Sequence, residues 1–177
     1  MDILAHGIWA YFVSAFSNLK LKKNKLKNWL FVSFGVMPDF VSFAPMFVYL
    51  IIGLITGNVS SFPRPEGMEP ATGNGLLIHN VTGFLYNFTH SIIMFAIVFL
   101  ICMIIFRRPV FELLGWLVHI LIDIPTHSYQ FYPTPFLWPV SGYKYNGISW
   151  GQWWFMILNY SALIAVYFWL RHERRKK

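Results

Sequence analysis

Residues 92–108, IIMFAIVFLICMIIFRR, place fifteen apolar residues without interruption directly before Arg107 and Arg108. A helix needs about 20 mostly apolar residues to cross the hydrocarbon core of a bilayer, and an apolar start near Phe88 brings this segment to that length. Arginines at the end of such a run are typical of the cytoplasmic flank of a transmembrane helix. The stretch therefore predicts a membrane-spanning helix that ends at the cytoplasmic surface.

The composition of the whole chain also indicates a membrane protein. Of its 177 residues, 56% are hydrophobic, 20% are aromatic and only 12% are charged, and the mean hydropathy is +0.51. Soluble domains carry about 25% charged residues, so this chain has too few polar residues to cover an apolar core in water. The length predicts one domain over residues 1–177. A single cysteine, Cys102, excludes both a disulfide framework and a cysteine-based metal site.

The predicted fold class is all-α, a polytopic bundle with about five transmembrane segments. The apolar segments are 3–19, 29–56, 88–106, 109–124 and 150–170. The third and fifth are long enough to cross alone, whereas the first and fourth are short and would need to pack against longer neighbours. Pro38 and Pro45 interrupt the second segment, and Asp39 could cap a helix that restarts there.

The distribution of positive charge predicts the topology. The net charge is +7, and twelve of the fourteen basic residues fall in 20–27, 107–108 and 171–177, next to apolar segments. This pattern favours cytoplasmic membrane flanks over nucleic-acid binding, and we expect no nucleic-acid partner. Five crossings with an external N-terminus and a cytoplasmic C-terminus place all three clusters inside. The external loops are then 57–87 and 125–149.

Five ionisable residues lie within the predicted spans at similar depths. Their distances above the nearest basic flank are roughly 16 to 25 Å at the rise of an α-helix. These residues are His6, Asp39, His90, His119 and Asp123. Because such side chains are costly in lipid, each should face the bundle interior and have a partner. The sequence therefore predicts a polar cluster in one layer of the membrane.

The spacing of His119 and Asp123 suits metal binding. Residues four apart share a helix face, so both side chains can reach one ion. His127 follows on the next turn and could add a ligand or contact a substrate. Imidazole and carboxylate ligands suit zinc first, and also manganese or iron(II). The remaining histidines, His79 and His172, are expected to be solvated.

Other roles stay open for the same side chains. The pair of His119 and Asp123 could instead be a proton relay or a buried ion pair. His6 could form a hydrogen bond between packed helices, and His90 could be solvated at the membrane interface. If these residues instead form a proton relay, the chain would be a proton-coupled transporter or channel. A structural metal without catalysis is a further alternative.

An ordered set of short motifs resembles a known family. The set is His6, Pro38-Asp39, Thr89-His90-Ser91, and the stretch from His119 through Asp123 to His127. It resembles the YdjM-like, LexA-regulated membrane-bound metal-dependent hydrolases of bacteria and archaea. That family is in turn similar to the zinc-dependent phospholipase C and S1/P1 nuclease superfamily. The resemblance implies a phospholipase C/P1 nuclease-like helical fold in a prokaryotic inner membrane.

The resemblance also implies a set of site residues. One metal would be held by Asp39, His90, His119 and Asp123, and a neighbouring metal by His6 and His127. Val41 stands where family members often have a second aspartate, and no counterpart of the additional His-x-x-x-Glu pair of the soluble relatives is present. One or two zinc ions are therefore expected, rather than three.

The expected activity is hydrolysis of a phosphoester through a metal-activated water, with Asp39, His119 and Asp123 as catalytic residues. The substrate would be a phosphodiester or phosphomonoester, including one carried by a membrane lipid. Arg64 and Lys144 in the external loops are candidates for binding phosphate. The sequence does not determine the oligomeric state.

Overall fold

The computed structural model describes residues 1–58 and 77–176, and these contain six α-helices and no β-strand. The all-α prediction is confirmed. The helices are α1 (Ile3–Lys20), α2 (Asn28–Ile55), α3 (Leu77–Thr89), α4 (Ile92–Phe106), α5 (Leu114–Thr126) and α6 (Trp153–Arg175). A short 3₁₀ turn, Phe111–Leu113, leads into α5.

Helix α2 is the centre of the bundle, because it packs against α1, α3 and α5, while α6 packs on α1. It is continuous through Pro38 and Pro45, so the predicted interruption is wrong and Asp39 lies inside the helix rather than at its N-cap. The hydroxyl of Ser42 donates to the Pro38 carbonyl at 2.7 Å. Packing on three sides thus outweighs the local tendency of proline to break a helix.

Helices α1, α2 and α5 cross at unusually close range, because glycines lie at the contact. A Cβ atom on Gly35 of α2 would lie 2.6 Å from the Ala10 Cβ of α1. A Cβ on Gly115 of α5 would lie 2.1 Å from the Phe31 carbonyl oxygen of α2. Small residues at such crossings allow helix backbones to approach within lipid. This crossing sets the separation of the elements that carry the polar cluster.

The third predicted segment is bent, not straight. Helices α3 and α4 meet at His90 and Ser91 with an angle of 64° between residues 80–89 and 92–106. Ser91 is the N-cap of α4, and its hydroxyl oxygen accepts from the backbone amides of Ile93 and Met94. Residues 77–87, predicted to lie in a loop, are helical. The bend brings His90 towards the bundle interior.

Two helices, α2 and α6, are long and apolar enough to cross a membrane, and the bent pair α3–α4 would make a third span. Large apolar side chains such as Ile104 and Ile105 are 73% and 67% exposed, as lipid-facing residues would be. Helix α5 has 13 residues and extends only about 20 Å. The structure therefore fits a membrane protein, while five crossings remain a prediction.

Candidate metal centre

The structure brings all six predicted site residues together in the interior of the bundle. Each is at most 7% exposed, and they come from α1, α2, the bend between α3 and α4, and α5 with its C-cap. The residues are His6, Asp39, His90, His119, Asp123 and His127. The layer of polar residues predicted from helix rise is therefore a single connected cluster.

Four of these residues form a compact group around one point. One ligand atom each from Asp39, His90, His119 and Asp123 lies within 4.8 Å of the other three. The Nε2 atoms of His90 and His119 are 3.1 Å apart. The Oδ2 atom of Asp123 lies 3.1 Å from the His119 Nε2 and 3.4 Å from the His90 Nε2. The Oδ1 atom of Asp39 lies 3.6 and 3.5 Å from the same two nitrogens.

These separations fit a tetrahedral ion. Ligand bonds of about 2.0–2.1 Å to zinc give ligand-to-ligand edges of about 3.3–3.4 Å. The five measured edges fall between 3.1 and 3.6 Å. The buried Oδ2 of Asp123 accepts no hydrogen bond within the described residues, although it faces both imidazoles. A cation at the centre would satisfy this oxygen.

Hydrogen bonds behind the group orient its imidazoles. The Nδ1 of His119 lies 2.8 Å from the Gly35 carbonyl oxygen, to which it can donate. The Nδ1 of His90 lies 2.9 Å from the Thr89 hydroxyl oxygen, which itself donates to the carbonyl of Leu85. Both rings can therefore present an unprotonated Nε2 to the centre, as metal-binding histidines do.

Gly35 and Thr89 were not among the predicted site residues. Thr89 belongs to the Thr-His-Ser motif, so its position beside His90 was a usable signal. Its hydroxyl also lies 2.6 Å from the Ser42 hydroxyl of α2. Gly35 acts through its backbone carbonyl, which no side-chain pattern can identify. Both residues tie the imidazoles to α2, the helix that carries Asp39.

Asp123 joins two groups of side chains. Its Oδ2 faces His90 and His119, whereas its Oδ1 lies 2.9 Å from the His6 Nε2 and 3.3 Å from the His127 Nε2. The α-amino group of Met1 lies 2.5 Å from the same Oδ1 and 2.9 Å from the His127 Nε2. His6 also stacks on His119, with ring centroids 3.7 Å apart. The residues proposed for a second metal are thus adjacent to the first group and separated from it by one carboxylate.

The chain after α5 holds His127 in place. α5 continues one residue past Pro125, and the backbone amides of Gly147 and Ile148 donate to the carbonyls of His127 and Pro125 at 2.8 and 2.9 Å. A Cβ on Gly147 would lie 2.3 Å from the Pro125 carbonyl oxygen, so only glycine fits there. The His127 Nδ1 lies 2.8 Å from the carbonyl oxygen of Tyr132. Burial, and then the positive charge of the Met1 amine, lowers the pKa of His127, which favours the neutral imidazole that a metal requires.

No lysine or arginine of the described residues forms an ion pair with the carboxylates of Asp39 or Asp123. Lys144 is therefore not a direct partner of the site, and Arg64 lies outside the described residues. His172 is exposed on α6, as predicted for a solvated residue. Two buried carboxylates with only imidazoles and one amine nearby could hold a metal ion.

The arrangement can hold one cation between four ligands, and it has two further imidazoles within reach of the shared carboxylate. His/Asp ligation is compatible with zinc, manganese and iron(II). No protein-family model matches the chain, and no characterised protein or solved structure shows significant similarity to it.

Proposed function

We propose that this chain is a membrane-bound metal-dependent hydrolase whose metal, zinc in the first instance, is held by Asp39, His90, His119 and Asp123. The observation that carries the proposal is the set of ligand separations, 3.1 to 3.6 Å, in a buried group drawn from separate elements. The order of motifs in the sequence supports assignment to the YdjM-like family. A second ion between His6, His127 and the Asp123 Oδ1 is part of the proposal.

Asp39 is the most exposed of the four residues of the group. It is 7% exposed, whereas the other three residues of the group are between 0 and 1% exposed. Substrate would therefore approach from the Asp39 side. Oδ1 of Asp39 faces the imidazoles, which leaves its Oδ2 to accept a proton from the attacking water. His119 and Asp123 hold the opposite side of the group, one helical turn apart.

A divalent metal held by these four residues would supply Lewis-acid activation of a phosphoryl oxygen and of a water at neutral pH, provided that a fifth coordination position opens to the water. A phosphoester of a membrane lipid is the substrate class we propose, because the site lies among apolar helices that a lipid can reach laterally. The three basic flanks support five crossings, with the N-terminus outside and the C-terminus in the cytoplasm of a prokaryotic cell.

Metal analysis of the purified chain tests the proposal. We expect at least one equivalent of zinc, manganese or iron in the wild type and less than a tenth of it in His119→Ala. The matched control is His172→Ala, which removes an exposed histidine and should retain the wild-type metal content. Asp39→Asn keeps the side-chain volume, so a stable variant that loses metal excludes simple misfolding. Unchanged metal in both site variants would refute the assignment.

A substrate assay then separates a hydrolase from the alternatives. We expect phosphoester hydrolysis that a chelator abolishes and that added metal restores. Bound metal without hydrolysis of lipid or soluble phosphoesters would indicate a structural site. Proton-coupled flux in vesicles that persists in the metal-free protein would indicate a transporter. Either of the last two results would contradict the hydrolase.

A further inference from the structure

An apolar cavity of about 610 Å³ lies beside the metal centre but is not lined by any of its six residues. One wall is a stripe on α2 formed by Leu30, Phe34, Met37 and Val41, which lie on one helix face. The stripe runs from Leu30 to Val41, eleven helical rises, and therefore extends about 16 Å. This is close to the hydrocarbon thickness of one leaflet, about 15 Å.

The facing walls are apolar as well. Val98 and Cys102 of α4 line the cavity, together with Leu113 and Trp116 at the start of α5. Trp116 uses its indole nitrogen to donate to the Thr89 carbonyl, so no polar atom of this ring is left for a ligand. A cavity of this size suits a small ligand, and its lining suits an alkyl chain.

One cationic side chain, that of Arg108, lines the cavity. Arg108 follows α4 and lines the cavity together with Phe106, Val110 and Leu30, which lies in the first turn of α2. Arg108 is exposed and makes no hydrogen bond or ion pair within the described residues. Arg107 ends α4 in the left-handed conformation, with φ of 52°, and does not line the cavity. An apolar cavity with an unpaired guanidinium on its lining is complementary to an anionic amphiphile.

We propose that this cavity binds one acyl chain of an anionic phospholipid, with the lipid phosphate paired to Arg108. The stripe on α2 would take the alkyl chain, and the guanidinium would hold the headgroup at the membrane surface beside the 20–27 lysine cluster. The proposal does not depend on the metal centre, since none of the cavity residues is a proposed ligand.

Native mass spectrometry of the full chain in detergent tests the headgroup contact. Phosphatidylglycerol and phosphatidylcholine with identical acyl chains are titrated against the wild type, Arg108→Gln and Arg107→Gln. We expect Arg108→Gln to bind phosphatidylglycerol about tenfold more weakly, as for the loss of one charge-assisted hydrogen bond. Arg107→Gln, which removes the same charge one residue away, should stay within twofold of the wild type. Equal losses of phosphatidylglycerol affinity in Arg108→Gln and Arg107→Gln would overturn the proposal.

A second pair of variants tests the acyl-chain site. Val98→Trp fills the cavity, whereas Ile97→Trp places the same side chain on the exposed face of α4. We expect Val98→Trp to weaken binding of both lipids at least fivefold and Ile97→Trp to leave it unchanged. Binding of phosphatidylglycerol to Val98→Trp within twofold of the wild type would overturn the proposal.

Two further controls complete the test. Cys102 is the only cysteine and lies on the cavity wall, so saturating phosphatidylglycerol should slow its alkylation by N-ethylmaleimide at least threefold. An unchanged rate would contradict occupancy of the cavity. In His119→Ala, which should lack the metal, adding Arg108→Gln should still weaken phosphatidylglycerol binding about tenfold, so that failure of the lipid site and failure of the metal site are seen separately.

Discussion

Gly115→Ala should weaken metal binding, although residue 115 is not a ligand. The added Cβ would lie 2.1 Å from the Phe31 carbonyl oxygen, whereas real Cβ contacts are at least 3.0 Å. Helices α2 and α5 must therefore separate by about 0.9 Å. His119 is on α5, while its partner Gly35 and the ligand Asp39 are on α2. The separation stretches the 2.8 Å hydrogen bond of His119 and the 3.6 Å edge to Asp39.

We expect zinc affinity to fall about 10- to 100-fold, the range found when a partner of a metal ligand is disturbed. Overpacking at the crossing should also lower the free energy of unfolding by about 1–3 kcal/mol. Competition with a chromophoric chelator measures the affinity, and thermal unfolding in detergent measures the stability. The control is Gly83→Ala on α3, where a Cβ meets nothing within 4 Å and should leave zinc affinity unchanged. A Gly115→Ala protein with zinc affinity within twofold of the wild type would refute the close-crossing explanation.

Two further predictions concern the support of the site. Thr89→Val keeps the shape of the side chain but removes the oxygen that accepts from His90, so zinc affinity measured by the same competition should fall about tenfold. Thr56→Val is the control, at an exposed threonine whose hydroxyl bonds only the end of α2 and the nearby Asn58 side chain, and equal affinities in the two variants would contradict this role. Metal removal should lower the thermal midpoint, because free zinc at 100 times Kd stabilises the folded state by about 2.7 kcal/mol. The midpoint of His119→Ala should not respond to zinc, and a full response would show that the ion binds elsewhere.

More of the candidate site than of the fold could be predicted from the sequence. Apolar segments penalise every ionisable residue, so Asp39 and the intramembrane histidines were visible against their surroundings, and the spacing of His119 and Asp123 fixed a shared face. The expectation that proline interrupts a helix failed at Pro38, because packing on three sides keeps α2 continuous. The bend at His90 has no proline or glycine to mark it, and only the capping serine, Ser91, gave a signal.

The remaining features depend on contacts between distant parts of the chain. Gly35 and Gly115 are ordinary helix residues until α2 and α5 are seen to cross, and the carbonyl of Gly35 orients His119 only in that crossing. The helix over residues 77–87 was hidden by its asparagines, threonine and glycine, which are typical of loops. The number and direction of the membrane crossings depend on the bilayer. The sequence indicates them only through the charge of the residues that flank each span.

The shared carboxylate of Asp123 has a consequence for loading. A cation held by Oδ2 draws electron density away from Oδ1, where His6, His127 and the Met1 amine converge. If both positions bind metal, the first ion would lower the affinity of the neighbouring position for a second, and thermodynamic reciprocity would make the penalty equal in the other order. Filling would proceed in two separated steps, so that metal supply sets how many ions the centre holds.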